Sequence, residues 1–150
     1  MTKKTKRLDE NHNAILAKAE GGPQSAAGWI DEGGRLVEAG RTDEAEAAFR
    51  RAIEADPNDP RAWTSLGVLL DDLGRKEESE AAFRSAVAAN PQHAPAWNGL
   101  GILLKSLGRV DEAIAAYRHA LAADPAYAPA RYNLENLLKS TGRAAETDAA

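Results

Sequence analysis

A period of 34 residues runs through this 150-residue chain, and no other feature limits its fold as strongly. Pro23, Pro57, Pro91 and Pro125 keep that spacing. So do Gly40, Gly74, Gly108 and Gly142, each followed by an arginine: Arg41, Arg75, Arg109 and Arg143. The larger residues share the phase, in the sets Trp29, Trp63 and Trp97; Leu36, Leu70, Leu104 and Leu138; Phe49, Phe83 and Tyr117; and Ala52, Ala86 and Ala120. A repeat of this length is one supersecondary unit that cannot bury its apolar face alone and stacks on its neighbours.

Inside one period the apolar spacing is helical. Trp63, Leu66 and Leu70 are three and then four apart, one stripe of an α-helix, and Ala82, Phe83, Ala86 and Val87 form a second stripe. Gly67 and Gly101 lie beside such stripes, where the lack of a side chain lets a neighbouring helix come close. Between the two helices, Gly74-Arg75 supplies a residue able to end a helix in the left-handed conformation. Glu77-Glu78 then place negative charge at the positive start of the next helix. Asp59-Pro60 reads as a capping side chain followed by a proline tolerated in the first turn. Each period is therefore predicted to be a helical hairpin, with Pro57, Pro91 and Pro125 punctuating the joins.

Composition removes whole classes of function. There is no cysteine, which excludes disulfides, thiolate nucleophiles and Cys-containing zinc sites. His12, His93 and His119 are too scattered to suggest a metal site. A net charge of −4 argues against a nucleic-acid binder, although Lys3, Lys4, Lys6 and Arg7 leave a basic tail open as a contact. No apolar run approaches the length of a membrane span. Leu8-Asp9-Glu10 follows the basic start where an export signal needs apolar residues, so a cytoplasmic location is expected. Neither a strand followed by a phosphate-binding loop nor a Ser–His–Asp arrangement is legible, and the recurring carboxylates are explained by helix dipoles. The reading is of a chain that is not an enzyme and needs no cofactor.

At these residues the sequence resembles the tetratricopeptide repeat family, whose 34-residue helix–turn–helix carries Trp, Leu-Gly, Tyr, Ala, aromatic, Ala and Pro at fixed positions. The phase gives a basic tail over 1–7, an N-terminal helix and join over 8–25, and repeats over 26–59, 60–93 and 94–127. A partial repeat with a capping helix follows over 128–150, with one domain overall from 8 to 150. The first repeat departs with Glu32 before Gly33, and the last has Arg131 for Trp and Leu134-Glu135 for Leu-Gly. The resemblance implies an all-α, right-handed solenoid, an α–α superhelix in which Trp29, Trp63 and Trp97, Gly67 and Gly101, and Phe49, Phe83 and Tyr117 are structural. Each Trp is expected to fill space between the two helices of its hairpin.

The same resemblance implies a concave groove made by the first helix of each hairpin. Its residues here are Ile30, Val37 and Glu38; Arg61, Thr64, Val68, Asp71 and Asp72; Asn98, Ile102, Lys105 and Ser106; and Tyr132, Asn136, Lys139 and Ser140. The row Glu38, Asp71-Asp72, Lys105, Lys139 changes sign, so the groove should run from acidic to basic. A protein-interaction module is expected, holding a peptide or partner helix whose acidic or C-terminal carboxylate part lies near Lys105, Lys139 and Asn136. Alternatives are self-assembly into a homo-oligomer, or an accessory repeat unit of a glycosyltransferase or nucleic-acid-associated complex. The two-carboxylate clamp of co-chaperones wants Lys and Asn where this chain has Ile30 and Gly34. The asparagine ladder of O-linked N-acetylglucosamine transferases is matched by Asn133 alone, with Asp31, Ser65 and Gly99 at the other rungs.

Overall fold

The computed structural model describes Pro23 and residues 25–147. The expected basic tail and N-terminal helix lie outside the described residues, apart from the end of the join. Among the described residues there are seven α-helices, one 3-10 turn and no strand, the architecture of an all-α helical repeat solenoid. They fall into two compact units that divide between Asp56 and Pro57.

The first unit holds α1 (Ala26–Glu38) and α2 (Thr42–Ala55), packed as a hairpin. Ser25 caps α1, its hydroxyl accepting from the Gly28 N–H at 3.1 Å. Gly33 faces Phe49 so closely that an added Cβ would sit 2.3 Å from the ring. Gly is thus required by contact as well as by the repeat. The turn follows from Gly40 at φ 74°, with the Gly40 and Arg41 N–H groups donating to the Val37 and Leu36 carbonyls. Glu32, which broke the pattern in sequence, accepts from Arg35 at 2.7 Å on the surface.

The second unit holds α3 (Pro60–Asp72), α4 (Lys76–Ala89), α5 (Ala94–Ser106), α6 (Val110–Ala123), α7 (Ala128–Ser140) and the 3-10 turn Ala144–Glu146. First helices begin at Pro60, Ala94 and Ala128, second helices at Lys76 and Val110, so the sequence period is the structural one. Each hairpin packs internally, α4 also packs on α5, and α6 on α7. Phe83 and Tyr117 share one buried apolar cluster with Leu100, Leu103, Leu134 and Leu137. Gly67 and Gly101 admit those rings, since a Cβ on Gly101 would lie 2.5 Å from Tyr117. Gly99 admits Phe83 from the preceding hairpin in the same way.

The tryptophans occupy a shallower place than the sequence suggests. Trp63 and Trp97 are half-buried, and the fully buried aromatics are Phe83 and Tyr117. Trp97 does lie between the helices of its hairpin, stacked on His119 of α6 with ring centroids 4.4 Å apart. Each indole also ties the join behind it, Trp63 donating to the Pro57 carbonyl at 2.9 Å and Trp97 to the Pro91 carbonyl at 2.8 Å. Where the last helix replaces Trp, Arg131 donates to the Pro125 carbonyl at 2.6 Å, so the tie survives the substitution.

Candidate peptide-binding face

Within the second unit the first helices α3, α5 and α7 touch in order and form one face. Helical periodicity turns Leu66, Leu69 and Leu70 of α3 into the core and leaves Val68 outside. On α5 the same geometry buries Leu100, Leu103 and Leu104 and exposes Ile102. Val68 is 47% exposed, Ile102 43% and Tyr132 66%, the exposed large apolar side chains of these three helices. Lys105, Asn136 and Lys139 are exposed beside them on α5 and α7. Among the described residues neither lysine makes an ion pair with an acidic side chain. Both stand in the last turn of their helices, where the helix dipole favours a cation.

Other residues expected on the face are partly engaged. Asp71 accepts from Lys76 at the start of α4, leaving Asp72 as the exposed carboxylate at the end of α3. The end of α3 therefore presents less negative charge than the count of aspartates suggests. Arg61 is exposed, but its guanidinium bonds Asp59 through Nε at 3.0 Å and Nη2 at 2.7 Å. That pairing, together with the Arg61 N–H, holds the Asp59 carboxyl below its ordinary value despite burial. Thr64 turns its hydroxyl to the Pro60 carbonyl at 2.7 Å. Asn98 is buried, its Oδ1 accepting from Asn133 of α7 at 3.0 Å, so it braces α5 against α7 beneath the face. Ser106 and Ser140 donate to carbonyls of their own helices, Leu103 and Leu137.

In the first unit Val37 and Glu38 are exposed and Trp29 and Ile30 half-buried on α1. Sequence reasoning overlooked Leu73 and Leu107, each 41% exposed next to the Gly turns. Their spacing of 34 was a signal that could have found them. Among the described residues no cluster of His, Cys, Asp or Glu could hold a metal ion. None of the described helices is long and apolar enough to cross a membrane.

Comparison with known proteins agrees with this fold. Among solved structures, the first TPR of Spaghetti (RPAP3) bound to the HSP90 peptide SRMEEVD is 24% identical, with a TM-score of 0.72 over 79% of this chain and 94% of that one. MamA is 20% identical, with a TM-score of 0.74 over 97% of this chain and 87% of that one. The first TPR domain of human RPAP3 is 23% identical, with a TM-score of 0.72 over 86% and 99%. At these identities the likeness is one of fold. No curated protein matches the chain in sequence. The family model of the tetratricopeptide repeat matches residues 30–94 and 69–128, the span that holds the helical hairpins, and the chain belongs to that family.

Proposed function

We propose that this protein is a non-catalytic binding module that holds an extended peptide or a partner helix on the face of α3, α5 and α7. The observation that carries the reading is the exposure of Val68, Ile102 and Tyr132 on the same three helices as Lys105 and Lys139, neither of which is ion-paired among the described residues. An exposed apolar row flanked by free cations is costly to leave in water and matches a ligand with apolar side chains and a carboxylate. Asn136 adds a neutral donor and acceptor next to Lys139. The sign change toward Asp72 sets the direction of the ligand more than its affinity, because opposed charges at a rim act chiefly on encounter and register. The acidic or C-terminal carboxylate end of the ligand accordingly lies toward α5 and α7.

A structural neighbour of the same fold is bound to a peptide with an acidic end, SRMEEVD, which supports a ligand of this chemistry without assigning the same partner. The test is an anisotropy titration of acidic heptapeptides with free C-termini against the intact chain and its Lys105→Glu/Lys139→Glu variant. Each charge-assisted bond is worth on the order of 1.5–3 kcal/mol, so the reversal should weaken binding roughly tenfold or more. Equal affinity for both proteins, or a response that tracks self-association in sedimentation, would sink the reading.

A further inference from the structure

The first helices of the second unit are tied together by side chains at one step and not at the other. Between α5 and α7, Asn133 donates its Nδ2 to the Asn98 Oδ1 at 3.0 Å, and Asn98 is only 8% exposed, so little water competes for the bond. The matching places on α3 and α5 hold Thr64, whose hydroxyl turns to the Pro60 carbonyl, and Gly99, which has no side chain to offer. The tie is thus confined to the step whose two helices carry Lys105 and Lys139. It matters there because α7 packs chiefly on α6 and meets α5 over a smaller area. Apolar contacts tolerate a small slide of one helix past the other, whereas a hydrogen bond has a narrow range of length and angle. A buried polar pair of this kind gives little stability over an apolar one, and its best attested use is to fix register.

The bonded pair is also placed to set the cations. Asn98, Ile102 and Lys105 are four and then three residues apart, one stripe of α5, and Tyr132, Asn136 and Lys139 repeat that spacing on α7. At 1.5 Å of rise per residue, Lys105 stands about 10.5 Å along α5 from Asn98 and Lys139 about 9 Å along α7 from Asn133. As alternate helices of an up-and-down stack α5 and α7 run in the same direction, so the bond holds the two lysines level to within about one residue. Helices in contact lie about 8–10 Å apart, a gap that an extended chain crosses in about three residues. Resting on the peptide-binding reading above, we propose that the Asn98–Asn133 bond determines the specificity of that face. It fixes the offset between Lys105 and Lys139, and so selects acidic ligands whose carboxylates stand about three residues apart. Asn98 and Asn133 are positioning residues, and the lysines make the contacts.

The chain has no cysteine, so Lys105→Cys/Lys139→Cys accepts one spin label on each helix, and electron paramagnetic resonance then reads their separation without any ligand. The distribution should be narrow, and should broaden or shift when Asn98→Leu/Asn133→Leu replaces both partners by apolar side chains of similar size. Because both partners go together, the helical circular dichroism and the denaturation midpoint should stay near the parent's. With the lysines in place, the intact chain is titrated with two blocked peptides of one composition, acetyl-Leu-Ala-Glu-Ala-Ala-Glu-Ala-Leu-amide and acetyl-Leu-Ala-Ala-Glu-Glu-Ala-Ala-Leu-amide. The parent should prefer the first roughly tenfold, the loss of one charge-assisted bond, and the leucine variant should bind the two within about twofold. Asn133→Gln, which carries the donor one methylene further out, should also reduce the preference, and it serves if the leucine pair disturbs folding. A purely structural role would move both affinities alike and leave their ratio unchanged. An unchanged label separation, a preference that survives in the variants, or equal binding of the two peptides by the parent would overturn the proposal and leave the face standing. Binding of neither blocked peptide while the acidic heptapeptides still bind would do the same. Failure of both kinds of peptide would sink the face itself, and this proposal with it.

Discussion

In the α5–α6 hairpin, Gly101 lets the Tyr117 ring reach the backbone of α5, and Trp97 lies flat on His119. At the matching positions α7 carries Glu135 and Arg131, and it still buries Leu134, Leu137 and Leu138. The two regions share a phase and differ in which side is packed. A helix with neighbours on two sides needs small residues where a ring must enter, whereas the last described first helix keeps only its inward leucines and turns charge outward. The tie from the fourth position to the proline carbonyl persists with either Trp or Arg, so that position serves the join between hairpins as much as the core.

The sharpest way to break this comparison is to remove a ring from each region. Tyr117→Ala should cost about 3–5 kcal/mol in chemical denaturation, because the ring is fully buried and its loss leaves a cavity. Tyr132→Ala on the exposed face of α7 should stay within about 0.5 kcal/mol. Equal costs would mean that the packed side has been wrongly identified. A second contrast concerns the glycine position. Gly101→Ala should gain about 1 kcal/mol of helix propensity yet still lose on the order of 1–3 kcal/mol net, since the new methyl meets Tyr117. Glu135→Ala should be nearly neutral, and a Gly101→Ala variant as stable as the parent would show that the ring has room to move.

Much of this was legible beforehand, for reasons that particular residues make plain. Gly74 and Gly108 announce their turns because only a residue without Cβ adopts φ near 75° at no cost, and both do so. Val68, Ile102 and Tyr132 were assigned to one face by the family resemblance, and helical spacing, with Leu66 and Leu100 turned inward, accounts for the exposure of Val68 and Ile102. The fates of Asp71 and Asn98 were not legible, since the Lys76 and Asn133 that engage them come from other helices and depend on how those helices pack. The half-burial of Trp97 was hidden for a similar reason. Indole size suggests deep core, but at this place in the hairpin the ring spans an edge, and the shorter route inward belongs to Tyr117.

A smaller contrast than those at Tyr117 and Gly101 concerns the start of α3 against the start of α5. Asp59 caps α3, its carboxylate accepting from the Arg61 N–H at 2.9 Å, whereas His93 at the matching place of α5 makes no side-chain cap. Because pairing with Arg61 lowers the Asp59 pKa in the folded state, its stabilisation is complete above the ordinary aspartate range and is lost as pH falls through the depressed value. Asp59→Asn keeps a capping oxygen, so it should cost less than about 1 kcal/mol at neutral pH and flatten this part of the acid dependence. Unchanged acid unfolding in the variant would remove the ion pair from the account.

Amide chemical-shift mapping on the intact chain, with the tightest acidic peptide from the titrations, bears most directly on the central claim. The account predicts that the perturbed residues gather at Val68, Ile102, Lys105, Tyr132, Asn136 and Lys139, and that they fall silent when the two lysines are reversed. Perturbations that leave those six residues untouched while the peptide is bound would contradict it.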